Sequence, residues 1–308
     1  MTHIRPRMPP SRYSPTSTGS AHERRPARLH PGAYARPFSM NRTAPMTEPA
    51  ATPPPHLAAL GPFCAFETHA EGSELTPPWR KLSELTEEGN DVLRERVASV
   101  RASLAANYGR PPEAVEQRVA ASVAHLGLVA RVISPALGLA ALHGLPSRPL
   151  ALGDLRWGSA LGGAFRLSLP REAVTPAVAE GVRHGGGADS DTRPVSALAE
   201  DLLAGPVRDL VAAFAPFSVS PHILWGNVAS AVNGAATGIT AAAPSLAHPA
   251  RAAALTFLQH PQLRNTHARN PPNGRFTRRS CCLIYRAAPG GGGALCGDCV
   301  LLRGRVGQ

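Results

Sequence analysis

Four of the chain's five cysteines fall within nineteen positions near its C-terminus. Cys281 and Cys282 stand side by side, and after thirteen residues comes Cys296-Gly297-Asp298-Cys299. Thiols this close read as one site, and a four-sulfur set is soft, selecting zinc, copper(I) or iron–sulfur over hard ions. The fold must therefore bring this segment back on itself and hold it. Structural zinc is usually gripped by two pairs, each with a gap of two to four residues, and only Cys296-x-x-Cys299 has that form. Nor do the spacings match those of plant-type or bacterial two-cluster ferredoxins. A disulfide framework suits small secreted chains rather than one of 308 residues with five cysteines. Spacing alone leaves iron–sulfur, zinc and thiol redox chemistry such as a vicinal disulfide open.

The run Arg278-Arg279-Ser280-Cys281-Cys282-Leu283-Ile284-Tyr285-Arg286, a glycine stretch and Cys296-Gly297-Asp298-Cys299 together resemble the C-terminal signature of the FhuF-type ferric-siderophore reductases. A second patch, Ile223-Leu224-Trp225-Gly226-Asn227-Val228-Ala229-Ser230-Ala231, resembles the Trp-Gly-Asn helix of the same family and is independent of the cysteines. The resemblance implies a 2Fe-2S cluster held by Cys281, Cys282, Cys296 and Cys299. It further implies a cytoplasmic oxidoreductase passing one electron to Fe(III) in an imported siderophore, of hydroxamate type for example, and releasing Fe(II). An electron-donor protein such as a ferredoxin or ferredoxin reductase would be its partner. Hard oxygen donors hold Fe(III) more tightly than Fe(II), so such a reduction frees the metal.

In a two-iron cluster each iron takes two thiolates. Cys296-x-x-Cys299 is expected to wrap one iron through a turn that Gly297 permits, leaving Cys281 and Cys282 for the other. Adjacent side chains on a strand point to opposite faces, so the Cys281–Cys282 pair predicts a bend. Ala287 to Gly293 reads as a flexible loop. Arg275, Arg278, Arg279 and Arg286 flank the ligands as candidate contacts for substrate or redox partner. Cations there favour the reduced state of an anionic centre and would steer an acidic donor. The plain alternative is that they solvate a basic tail.

Residues 1–60 hold 12 of the 32 prolines and eight arginines against Glu23 and Glu48. This stretch reads as a disordered extension, dispensable or from a misassigned start, with Met40 and Met46 as alternative starts. No apolar stretch follows Arg24-Arg25, so export is not supported, and the prolines oppose an amphipathic transit helix. Much of the net charge of +11 lies in this extension, which weakens any nucleic-acid reading.

The remainder divides into a helical domain over 61–265 and a cluster-binding segment over 266–308, a mainly α fold with α+β as the alternative. Leu82, Leu85, Val92, Leu93, Val97, Val100 and Leu104 describe an amphipathic helix or a helix pair divided near Gly89-Asn90. Pro111-Pro112 opens another helix. Its run from Val119 to Leu142 is apolar enough to raise a membrane span, but His125, Arg131 and Pro135 make a buried core helix the better reading, and no integral membrane segment is expected. Residues 149–169 alternate as short strands about a Gly162-Gly163 turn. Gly185 to Asp191 reads as a surface loop. Helices resume over Val195 to Phe214, broken at Gly205-Pro206, then from the Ser220 N-cap through Ala243, and over Ala247 to Leu258. Asn265 to Asn273 reads as a polar link.

No nucleotide fingerprint, nucleophile elbow or zincin motif appears. Cys64 is expected to be a buried apolar thiol. His222, His260 and His267 are candidates for protonating a released siderophore, against ordinary surface or capping roles. Trp225 is expected to pack, Gly226 to permit close helix contact, and Asn227 and Asn233 to satisfy buried polar groups. A non-redox siderophore-binding or scaffold protein with structural zinc is the competing reading, and visible colour separates the two. A DNA-binding iron–sulfur sensor ranks last.

Overall fold

The computed structural model describes residues 55–89, 91–142, 144–158, 165–174, 193–270 and 274–304. The chain divides into a unit of Met1–Thr47, which lies outside the described residues, and a unit of Glu48–Gln308. The expected disorder of the extension and the glycine-rich segments at 162–163 and 185–191 likewise lie outside them. Residues 55–60, assigned by composition to the extension, instead join the folded body. Pro55–Ala58 forms helix α1 and delivers Leu57 and Leu60 to the core. Those two apolar side chains outweigh the proline-rich composition of the stretch before them.

The body is mainly helical. Leu82–Leu85 forms a 3-10 turn and Val92–Ala106 forms α2, so the chain takes the divided form, with Gly89 at φ +75° in the break. Beyond Pro111 the chain makes only a short 3-10 turn at Pro112–Ala114, and α3 runs from Gln117 to Ala141. The paired prolines thus start a turn rather than the long helix itself. Helices α4 (Val195–Ala204) and α5 (Pro206–Ala213) break at Gly205 as predicted. Helix α6 (Pro221–Ala242) begins where the Ser220 side chain accepts from the Ile223 N–H at 3.3 Å, and α7 covers Ala247–Gln259.

Helix α3 is the centre of the body. It is long and apolar enough to cross a membrane by length and composition, with a mean hydropathy of 1.6, yet 78% of that window is buried inside the protein. Its two polar intruders are accommodated in different ways. Arg131 donates to the carbonyls of Phe165 and Phe63, each at 2.7 Å, and to that of Ala65, pinning the Phe63–Ala65 turn onto the helix. His125 is fully buried without a hydrogen-bond partner and lies edge-on to Phe214 with ring centres 5.0 Å apart; burial pushes its pKa down to about 3. It is therefore a neutral ring packed as an aromatic.

The β structure is small. Strands β1 (Glu67–His69), β2 (Trp79–Lys81), β3 (Arg156–Gly158) and β4 (Leu167–Pro170) form one sheet in the order β1-β4-β3-β2, with β1 and β4 parallel and the other pairs antiparallel. The alternation over 149–169 foretold β3 and β4. Strands β1 and β2 span three residues each and, unlike the equally short β3, lie within no extended alternating run. Part of the segment read as a polar link is also a strand: β5 (His267–Asn270) pairs antiparallel with β6 (Arg275–Arg278), setting His267 opposite Arg278. This hairpin carries the chain from α7 into the cysteine segment.

Candidate metal centre

After β6 the chain bends at Arg279 and Ser280 and runs without regular structure through both cysteines to Leu283, whose φ of +68° is rare for a side-chain-bearing residue. The bend expected at Cys281–Cys282 falls instead at Arg279 and Ser280, and the pair itself lies in irregular backbone. That left-handed residue turns the Leu283 N–H back to donate to Cys281 Sγ at 3.3 Å. The chain then makes two 3-10 turns, Ile284–Ala287 and Pro289–Gly291. The glycine loop is thus a built turn rather than the featureless linker its composition suggested. Gly290 and Gly291 adopt positive φ, and a Cβ on Gly293 would stand 2.6 Å from the Tyr285 carbonyl oxygen.

These turns bring all four thiols together, none in a disulfide. Cys282 Sγ lies 3.6 Å from Cys296 Sγ, and Cys299 Sγ lies 3.7 Å from Cys281 Sγ. Two thiolates on one tetrahedral metal, with bonds of about 2.3 Å, stand roughly 3.8 Å apart. Both approaches fit that spacing. They join residues across the loop, Cys282 with Cys296 and Cys281 with Cys299, while the neighbours Cys281 and Cys282 also interact directly, so the four sulfurs form one group. Four sulfurs gathered at these separations form a soft ligand set. Cys282 and Cys299 are buried, whereas Cys281 and Cys296 are half-buried.

The segment is clamped to the body by a polar chain. Arg278, 1% exposed, donates from Nη2 to Cys296 Sγ at 2.8 Å and from Nη1 to Asn227 Oδ1 at 2.7 Å. Asn227 in turn donates to the Ser122 carbonyl and hydroxyl at 3.0 and 3.2 Å. Four residues from α3, α6, β6 and the cysteine segment thus share one network. Burial alone would lower the Arg278 pKa, but the sulfurs of Cys282 and Cys296 outweigh it and the net shift is upward, so the guanidinium is a permanent cation beside them. Shared hydrogen bonds among the thiols push Cys281 and Cys296 up and Cys282 down, favouring a thiolate at Cys282.

Two further contacts seat the second cysteine pair. The Asp298 carbonyl accepts from the Arg278 N–H at 2.9 Å, and its carboxylate accepts from the Ser230 hydroxyl at 2.7 Å. Burial pushes the Asp298 pKa up despite the Ser230 hydrogen bond. The Trp-Gly-Asn patch now has a physical reading as well. A Cβ on Gly226 would lie 2.2 Å from Ser280 Oγ, so only glycine lets the residue before Cys281 press against α6. Asn227 holds Arg278, and half-buried Trp225 packs on the core.

The flanking arginines separate. Arg278 faces a sulfur, not solvent. Arg286 pairs with Glu116 just before α3 at 2.6 Å, and Arg110 donates to the Ala287 carbonyl at 2.8 Å, so both tie the loop to the body. Arg275 and Arg279 are exposed, donating to the Gly297 and His267 carbonyls at 2.9 and 3.0 Å. Of the histidines, His260 meets Glu200 at 2.9 Å, His267 stacks on Phe276 with its pKa lowered by burial, and exposed His222 offers its carbonyl to Ser280. Cys64 is buried, 3.5 Å from the Ser134 carbonyl, and burial pushes its thiol up to about 11; it packs as an apolar residue. Asn233 is half-buried beyond the network.

A helical body clamping a four-thiol segment, with a buried cation on one sulfur, defines a protein with a soft, sulfur-ligated metal centre. Residues 278–301 match the FhuF 2Fe-2S C-terminal domain. The chain thus carries an FhuF-type C-terminal domain, and its cofactor is a 2Fe-2S cluster. No curated protein and no solved structure matches the chain.

Proposed function

We infer that the protein is a cytoplasmic ferric-siderophore reductase whose cluster is held by Cys281, Cys282, Cys296 and Cys299. The observation that carries this reading is the pairing of the four free thiols across the loop within an FhuF-type domain, with Arg278 donating to one of them. When bound, the cluster supplies a one-electron couple able to carry an electron from a donor protein to Fe(III), which becomes Fe(II). The chain's own residues set the conditions for that exchange. Arg278 offsets negative charge on the sulfurs, and Asn227 and Ser122 fix its direction. Asp298 and Ser230 anchor the second cysteine pair. Arg275 and Arg279 leave a basic, exposed surface on the β5–β6 hairpin and its following bend, complementary to an acidic electron donor such as a ferredoxin.

The test is anaerobic purification followed by visible and EPR spectroscopy before and after dithionite, then addition of a ferric siderophore with an Fe(II)-trapping dye. Bands that bleach on reduction, a spin-half signal lost in Cys281→Ser and Cys299→Ser, and reoxidation with stoichiometric Fe(II) release are the expected results. A colourless protein holding zinc would overturn the reading, as would a cluster that the ferric chelate cannot reoxidise.

A further inference from the structure

Helix α6 carries Gly234 and Gly238 in its interior, where glycine favours the helix less than alanine does. Close packing explains an interior glycine when something lies where its Cβ would be, as Ser280 does at Gly226. It does not explain these two: among the described residues, a Cβ on either would meet nothing within 4 Å. Four residues apart, they share one face with Ser230, and that face borders a cleft of about 730 Å³. Leu126 and Ala130 of α3 form the opposite wall, the Leu60–Cys64 turn closes one side, and the Cys296–Asp298 turn forms one end. From Ser230 to Ala242 the α6 face runs about 18 Å away from the cluster segment.

We propose that this cleft seats the ferric chelate, with the iron at the Cys296–Asp298 end and the hydrocarbon part of the chelator along the bare backbone of α6. The assignment rests on the reductase reading and deepens it. The volume lies within the range of sites that enclose small ligands. Its charged groups are gathered at the cysteine end, where an iron must come to exchange an electron with the cluster. Beyond them the walls are mostly leucine, alanine, glycine, Pro62 and Phe63, with Cys64 and Ser134 as the weakly polar exceptions. The charged side chains of the lining are Arg278, turned to Cys296 and Asn227, and Asp298, bonded to Ser230. A polyanionic chelate would find both already engaged, whereas a chelate with hydrocarbon spacers would bury apolar surface. Gly234 and Gly238 keep the cleft wide.

Gallium(III) forms chelates of ferric shape that cannot be reduced, so the holoprotein's affinity for the gallium(III) complex of a linear trihydroxamate with hydrocarbon spacers reads seating apart from chemistry. Gly234→Leu and Gly238→Leu place side chains in open space and favour the helix, so melting temperature and visible spectrum should hold while affinity falls tenfold or more. Gallium(III) citrate should bind the wild type at least tenfold more weakly than the spaced chelate. Wild-type binding that both leucine variants retain would overturn the assignment, and so would failure of the wild type to bind the spaced chelate. Binding lost in the leucine variants, with no Fe(II) release from the ferric complex by the wild type, would leave the cleft standing and sink the reductase reading instead.

Discussion

Replacing Arg278 by glutamine removes one positive charge beside Cys296 while leaving a polar side chain to face Asn227. In the wild type the guanidinium is buried, and its Nη2 lies 2.8 Å from the sulfur. Reduction adds one negative charge to the cluster, and at about 5 Å with an effective dielectric near 20 the Coulomb attraction of that charge for Arg278 is about 3 kcal/mol. Each 59 mV of a one-electron couple is a tenfold change in equilibrium, about 1.4 kcal/mol, so the upper limit is roughly 130 mV. Glutamine restores part of it through its own N–H. Arg278→Gln should therefore lower the reduction potential by about 100 mV, whereas Arg278→Lys, which keeps the charge but loses the fork between Cys296 and Asn227, should move it by less than half as much. Burial limits screening, so the difference should persist in high salt. The assay is spectroelectrochemical titration of the visible bands under nitrogen, with iron content measured on the same samples. A fully loaded Gln variant whose potential shifts by less than about 20 mV, a twofold change in equilibrium, or shifts upward, would refute the electrostatic role of Arg278.

Gly226→Ala should cost about 1–3 kcal/mol and lower the iron bound per chain, because its Cβ would sit 2.2 Å from Ser280 Oγ. Adding Ser280→Ala removes the clashing oxygen and should recover much of both losses; chemical denaturation and iron analysis of the double variant test the coupling. His125 governs an acid-side instability. Its folded pKa is depressed to about 3, so below its ordinary value of 6.5 the unfolded chain binds a proton that the folded one does not. Stability is thus full above pH 6.5 and falls as pH drops from 6.5 toward 3, by about 1.4 kcal/mol per unit. In urea titrations at pH 7 and pH 5, His125→Leu should flatten that slope by about 2 kcal/mol over the interval; equal slopes in the two proteins would show that another group carries it.

The helices were legible because their signals are local. Ser220-Pro221 marks a start and Gly205-Pro206 a break, and both stand where the pattern put them. Strands β1 and β2 were not: no alternating run surrounds them, whereas β3, equally short, lies inside the alternation over 149–169. At the site, residue type and spacing identified the four cysteines and a bend beside them, though it falls at Arg279 and Ser280 rather than at the Cys281–Cys282 pair. The pairing across the loop depends on a left-handed Leu283, which no side-chain preference announces. Charge placed four arginines near the cysteines but said nothing of where each points. Arg278 turns inward because Asn227, 51 positions away, offers an acceptor, and Asn227 is held by Ser122, 105 positions away. Such long-range partners explain why the roles of Gly226 and Asn227, close contact and a buried polar group, were legible in the sequence, but not Ser280, Ser122 and Arg278 as the residues they meet. The two residues serve the cluster segment rather than the helix on which they lie. The central helices α3 and α6 pack on one another, and the cysteine segment reaches its sulfur geometry through Gly226, Asn227 and Ser230 on α6. Damage on this face of α6 should therefore be read first in the cluster and only second in the fold.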